Sequence, residues 1–170
     1  IGTPLTSLLG WTEILKTRAV EESIITEIEK DIERLEAITD RFSKIGAVPA
    51  LKRLNIVAET EQAFDYLRSR NSRLVHFKFI AEKAAIPVML NVTLYHWTVE
   101  NLVKNAIDAM KGEGKLKIEV VSLDKSVKVR ISDTGKGIPK RNFRRIFTPG
   151  FTTKKRGWGL GLSLVKRIVE

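Results

Sequence analysis

A change of apolar period near residue 46 divides this chain into two parts that must fold by different rules. Before it, Leu5, Leu8, Leu9, Thr12 and Leu15, then Ile24, Ile25, Ile28, Ile32, Leu35, Ile38, Phe42 and Ile45, recur at threes and fours, the spacing of a helix that buries one stripe. Polar and charged residues from Lys16 to Glu22 interrupt the stripe, so the spacing predicts two helices in an antiparallel hairpin. Such a hairpin leaves one apolar seam uncovered. A second copy covers it by completing a four-helix bundle about a two-fold axis; the alternative is packing against the rest of the same chain.

Gly46, Pro49 and the basic pair Lys52-Arg53 mark a linker. The expected organisation is therefore a hairpin over 1–46, a linker over 47–53 and a second domain over 54–170. Past the linker the periods mix. Leu51 to Ile56 reads as a short strand, Val57 to Arg70 as a helix, and Val75 to Ile80 and Val88 to Leu90 as strands. Leu94 to Met110 reads as a helix, and Lys115 to Leu123 with Ser126 to Ser132 as a hairpin turning at Asp124-Lys125. Leu160 to Val169 is the last helix. Helices laid on one mixed sheet make an α+β sandwich.

Composition narrows the function classes without choosing one. Thirty Lys and Arg against twenty Asp and Glu give the 170-residue chain a formal charge of +10, which attracts nucleic acid, acidic membrane, acidic protein or nucleotide phosphate alike. With no cysteine, disulfides and thiolate metal sites are excluded. The longest apolar run, Ala84 to Leu90, holds seven residues and contains Pro87; a membrane span needs about 20. A soluble chain is expected.

Three segments carry candidate chemistry. On the helix near residue 100, Val99, Leu102, Val103, Ala106, Ile107 and Met110 share one face, and Asn101, Asn105 and Asp108 line the opposite one. Asparagine is a poorer helix former than Lys, Glu or Gln by about 0.5 kcal/mol, so the stripe is either an ordinary solvated face or a row of amides with a task. Asn105 could ligate a hard cation such as Mg²⁺ while Asn101 donates to a phosphate oxygen, with Lys104 adding charge beside them.

The second segment, Asp133-Thr-Gly-Lys-Gly-Ile-Pro139, directly follows a strand. Gly135 and Gly137 permit a tight turn and close approach of a flat ligand. The Asp133 carboxylate, an acceptor only, suits the exocyclic amine of adenine and faces the guanine carbonyl unfavourably; capping the turn is an equally satisfactory role. The third segment runs from Phe147 through Lys154, Lys155 and Arg156 to Gly157, Gly159 and Gly161, then into the last helix. Glycines ahead of a helix N-terminus can seat phosphates or form a flexible loop. The segment matches neither a P-loop nor a dinucleotide fingerprint.

In order and spacing, these segments resemble the N, G1, F and G2 boxes of the sensor histidine kinases of two-component signalling, at Asn101 to Ala106, Asp133 to Pro139, Phe147 to Thr153 and Gly157 to Leu162. Ile1 to Leu5 resembles the tail of that family's H box, whose histidine would precede Ile1 by two places. The resemblance implies a dimerisation and phosphotransfer hairpin followed by a Bergerat-type α/β sandwich that binds Mg²⁺ and ATP. It implies Asn105 as the metal ligand, Asp133 as the adenine reader, and Gly135, Gly137 and Ile138 as the loop under the base. Asn101, Lys104, Asp108, Phe147, Gly157, Gly159, Leu160, Gly161 and Leu162 would line the rest of the pocket, with Thr153 and Lys154 in a short lid. Thr3 falls where the family carries a polar residue assisting dephosphorylation of its partner, and Trp158 is assigned only lid packing.

Further implications are a homodimer through the hairpin, a response-regulator receiver domain as partner, a cytoplasmic location, no nucleic acid, and closing strands beyond Glu170. The phosphoaccepting histidine itself is missing: His76 falls in a strand and His96 in the helix before the Asn stripe, and both read as structural. This chain alone is therefore not expected to autophosphorylate. A non-catalytic ATP-binding dimeric scaffold, or an ATPase switch on the same pocket, is the alternative.

Overall fold

A computed structural model describes residues 4–17, 22–30, 32, 35, 50–154 and 159–170. The chain divides into two compact units, Ile1–Pro49 and Ala50–Glu170. In the first, helix α1 spans Pro4–Lys16 and residues 22–30 form a second helix, α2. Thr12, Ile25 and Ile32 are buried, and Lys16 Nζ joins the helices by reaching Glu29 Oε1 at 2.8 Å as well as Glu13 Oε1 at 2.9 Å. Leu8, Leu9, Trp11, Ile14 and Ile24 stay exposed on this unit, Trp11 at 62%. The expected continuation of the second helix to Ile45, and most of the expected linker, lie outside the described residues.

The second unit runs β1 (Lys52–Asn55), α3 (Ile56–Arg70), β2 (Val75–Ala81), β3 (Pro87–Leu90), α4 (Val92–Ala109), β4 (Gly114–Ser122), β5 (Val127–Asp133), two single 3₁₀ turns and α5 (Gly161–Val169). Lys52 and Arg53, expected in the linker, are the first residues of β1. Two asparagines set the helix starts. Asn55 Oδ1 accepts from Val57 N at 3.1 Å and Ile86 N at 3.0 Å, and Asn91 Oδ1 accepts from Leu94 N at 3.0 Å while its Nδ2 donates to Ala50 O at 3.2 Å. Each cap thus satisfies an orphan helix N–H and also ties a strand or loop to the helix.

The strands make two sheets rather than the single mixed sheet expected. β1 pairs antiparallel with β3, and β2, β4 and β5 form a second sheet with β2 parallel and β5 antiparallel to the central β4. Both members of the first pair are four residues long, and β3 opens on Pro87 opposite Asn55. The β4–β5 hairpin closes where expected, with Leu123 N on Ser126 O at 2.8 Å.

Alternation along the strands fixes the core. Val75, Phe77 and Phe79 of β2 and Leu116 and Ile118 of β4 point to one side, against Phe64 and Leu67 of α3 and Val99, Val103, Ala106 and Met110 of α4. Val103, Leu116 and Ile118 are wholly excluded from water, at 0%. Each such side chain contributes about 1.5–3 kcal/mol of burial. The other side of the three-stranded sheet has no helix among the described residues, and its side chains face solvent.

Candidate functional site

Burying the apolar face of α4 turns Asn101, Asn105, Asp108 and Lys104 away from the core, and two loops and the start of α5 reach that polar face at successive heights. At the first level, a Cβ on Gly161 would lie 2.6 Å from Asn101 Oδ1, so the N-terminus of α5 sits against the first amide. At the second, Asn105 Nδ2 donates to Asn101 Oδ1 at 3.0 Å, and the Lys154 ammonium donates to Asn105 Oδ1 at 2.8 Å and Asp108 Oδ2 at 2.6 Å. At the third, Gly135 lies against the end of α4, where a Cβ would meet the Ala109 carbonyl carbon at 2.6 Å, and Lys136 N donates to Ala109 O at 3.2 Å. Asn101 to Ala109 is eight residues, a rise of about 12 Å, so the loops border an elongated strip.

The loops are shaped for that approach. Asp133, exposed at the end of β5, closes its own turn by accepting from Gly135 N through Oδ1 at 2.8 Å; its Oδ2 has no partner among the described residues. Gly137 has φ +67° in open space, a conformation that favours glycine. Gly159 has φ +64° and would strike the Gly150 carbonyl carbon and Phe151 O at 2.5 Å if it bore a side chain; Gly150 N donates to Gly159 O at 3.1 Å. Leu160, the cap position of α5, supplies no side-chain hydrogen bond, which leaves the first N–H groups of that helix open to a ligand.

No hydrogen bond joins the other expected residues to Asn101, Asn105 or Asp108 among the described residues. Lys104 turns along the helix to Glu100 at 2.5 Å. Ile138 is 47% exposed, Thr153 is exposed and Leu162 half-buried, and the Phe147 ring lies under the Lys166 ammonium, 6.0 Å from its centroid. Thr3, Gly157 and Trp158 lie outside the described residues. His96 packs beside α3, its Nε2 2.9 Å from Glu59 Oε2, and His76 is an exposed strand residue.

Two participants escaped the sequence reading. Ala109 provides the wall and carbonyl that position Gly135 and Lys136, and Thr134 Oγ1 accepts from Lys115 N at 3.0 Å and contacts Met110 Sδ at 3.6 Å. Thr134 lies inside the Asp133 to Pro139 segment and was visible there; Ala109 carries no chemical signal at all.

Helices on a mixed sheet, with glycine loops brought to a polar helix face, define a class. Residues 91–170, within the second unit, match the family described as Histidine kinase-, DNA gyrase B-, and HSP90-like ATPase. Sporulation kinase D of Bacillus subtilis (strain 168) is 31% identical over 179 residues, spanning 99% of this chain and 35% of that protein. Sensor histidine kinase ZraS of Escherichia coli (strain K12) is 27% identical, spanning 100% of this chain and 38% of its own length. The catalytic domain of histidine kinase ThkA superposes with a TM-score of 0.65 at 29% identity, covering 70% of this chain and 79% of that one. ThkA in complex with response regulator protein TrrA gives a TM-score of 0.69 at 24% identity over 99% of this chain and 51% of that one, which shows a shared fold. This chain thus carries a sensor histidine kinase ATP-binding core, and it spans little more than a third of the curated relatives it matches.

Proposed function

We propose that the polar strip of α4 binds Mg·ATP and that this chain is the kinase core of a two-component sensor, its γ-phosphoryl passing to a histidine two places before Ile1 and then to an aspartate of a response-regulator receiver domain. The convergence of the Asp133 loop, Lys154 and the Gly159 to Gly161 turn on one helix face carries the reading.

The residues fit both ligands. Asn105 Oδ1 and Asp108 Oδ2 are already aimed at a cation, the Lys154 ammonium, and oxygen donors of this kind suit a hard ion. The described residues hold no cluster of three His, Cys, Asp or Glu side chains, in keeping with Mg²⁺, which commonly takes one or two protein oxygens and completes its shell with phosphate and water. When bound, the ion neutralises phosphate charge.

Asp133 performs both roles the sequence left open: Oδ1 holds the turn, and Oδ2 accepts from the exocyclic amine of adenine. Asn101 and the first N–H groups of α5 hold phosphate oxygens. Asn105 and Asp108 would hold the ion through the oxygens that Lys154 now occupies, and the Lys154 ammonium would serve the phosphate oxygens. Such catalysis is positioning and charge neutralisation.

The partner class is supported by ThkA, whose structure was solved with the response regulator TrrA. A homodimer through α1 and α2 covers the apolar residues left exposed on the first unit. Among the described residues no helix is long and apolar enough to cross a membrane, and we assign the core to the cytoplasm.

Calorimetric titration with Mg·ATP and Mg·GTP tests the site. Mg·ATP binds and Mg·GTP binds far more weakly. Asp133→Asn weakens ATP by about 10- to 100-fold, the worth of one hydrogen bond to a charged group, and Asn105→Asp weakens it by placing a negative charge beside the phosphates. Equal affinity for both nucleotides, or two variants that bind as the parent does, contradicts the assignment.

A further inference from the structure

The face of the three-stranded sheet turned away from α3 and α4 carries a charge pattern that the nucleotide site does not use. Outward positions are His76 and Lys78 on β2, Lys115, Lys117 and Glu119 on β4, and Lys128 and Arg130 on β5, alternating with the buried residues of each strand. The register places His76 beside Lys115 and Lys78 beside Lys117. The like charges of Lys78 and Lys117 on facing positions repel.

Toward the far end of the sheet that repulsion is relieved. Glu119 faces Arg130, with Lys117 Nζ 3.1 Å and Arg130 Nη1 3.6 Å from Glu119 Oε2, and the Lys117 ammonium holds the Glu119 carboxyl below its ordinary pKa. At the near end Glu119 offsets only Lys117: Lys78 and Lys115 are exposed and form no ion pair among the described residues. Two adjoining open hollows of about 360 Å³ each meet there and share His76, Lys115 and Thr134. Lys78 and Lys117 border the first hollow and Arg73 the second, and the acids on their rims are Asp133, whose Oδ1 is held by Gly135 N, and Glu113.

We propose that His76, Lys78, Lys115 and Lys117 form a second anion site, on the opposite layer from α4, for a small soluble ligand bearing two or more neighbouring phosphate groups. Neighbouring strands lie about 4.8 Å apart and alternate residues of a strand about 6.6 Å apart, so the cations form a compact two-dimensional array rather than a track. A discrete ligand seated in the hollow therefore fits better than a polymer backbone. The face also lacks stacking platforms for nucleic-acid bases: Phe77 and Phe79 pack inward against the core.

Titration of the whole chain with inorganic tripolyphosphate tests this, with Lys78→Gln/Lys115→Gln and Asn105→Asp measured in parallel. Tripolyphosphate binds the parent and Asn105→Asp alike, the double variant loses at least tenfold in affinity, and its melting temperature without ligand is equal to or above the parent's because the repulsion is gone. No binding, or an affinity that the double variant leaves unchanged, overturns the site. Loss in Asn105→Asp instead would place the anion at the nucleotide strip and overturn it too. Lysine-dependent binding only to vesicles of phosphatidylcholine with 20 mol% phosphatidylglycerol, or only to duplex DNA, would replace the small ligand by a lipid surface or a nucleic acid.

Discussion

Gly135 and Gly161 show how little space the polar strip leaves between its walls. At Gly135 an added methyl would press on the Ala109 backbone at 2.6 Å, and backbone cannot swing aside as a long side chain can. Gly135→Ala is expected to destabilise the second unit by about 1–3 kcal/mol, read as a lower urea midpoint, and to weaken ATP by displacing the Asp133 turn. Stability equal to the parent's would mean the loop has room that the geometry denies it. The glycine positions were legible in the sequence, but their reasons were not. Gly135 is required by Ala109, twenty-six positions earlier, and Gly161 by Asn101, and no local pattern announces such a contact. The lysine on the amide stripe is a second instance: Lys104, next to the stripe in sequence, pairs with Glu100, while Lys154 from a distant loop reaches Asn105 and Asp108.

Among the elements, α3 and α4 meet through two polar contacts among the described residues, His96 Nε2 with Glu59 Oε2 and the part-buried Thr60 Oγ1 with Tyr95 Oη. Burial pushes the Tyr95 phenol above its ordinary pKa and the Thr60 bond partly opposes that shift. A folded-state pKa above the unfolded one gives stability that is whole below the unfolded value, near 10 for tyrosine, and lost as pH rises through the folded value. Thr60→Val should cost about 1 kcal/mol at neutral pH and move the Tyr95 titration, followed by absorbance of the phenolate, still higher; a titration that moves down or not at all would remove Thr60 as its partner. The elements themselves were readable because their periods are strong. α4 and the β4–β5 hairpin fall within two residues of expectation, and the earlier start of α4 has a visible cause in the Asn91 cap. The sheet count was not readable, since alternation tells which face a strand buries and says nothing of which neighbour it joins.

At the scale of the whole molecule, the two units carry different burdens. The first exposes Leu8, Leu9, Trp11, Ile14 and Ile24, an apolar surface that a second copy would cover; sedimentation equilibrium should report a dimer, and a monomer at high concentration would mean the seam is covered within one chain. The second unit places its core between the polar strip of α4, proposed to bind nucleotide, and a basic sheet face on the opposite layer. Amide chemical-shift mapping with Mg·ATP separates these surfaces and tests the central claim directly. Shifts are expected at Gly135 to Gly137, at Gly159 to Gly161 and in the side-chain amides of Asn101 and Asn105. Shifts confined to β2 and β4, or none at saturating nucleotide, would contradict it.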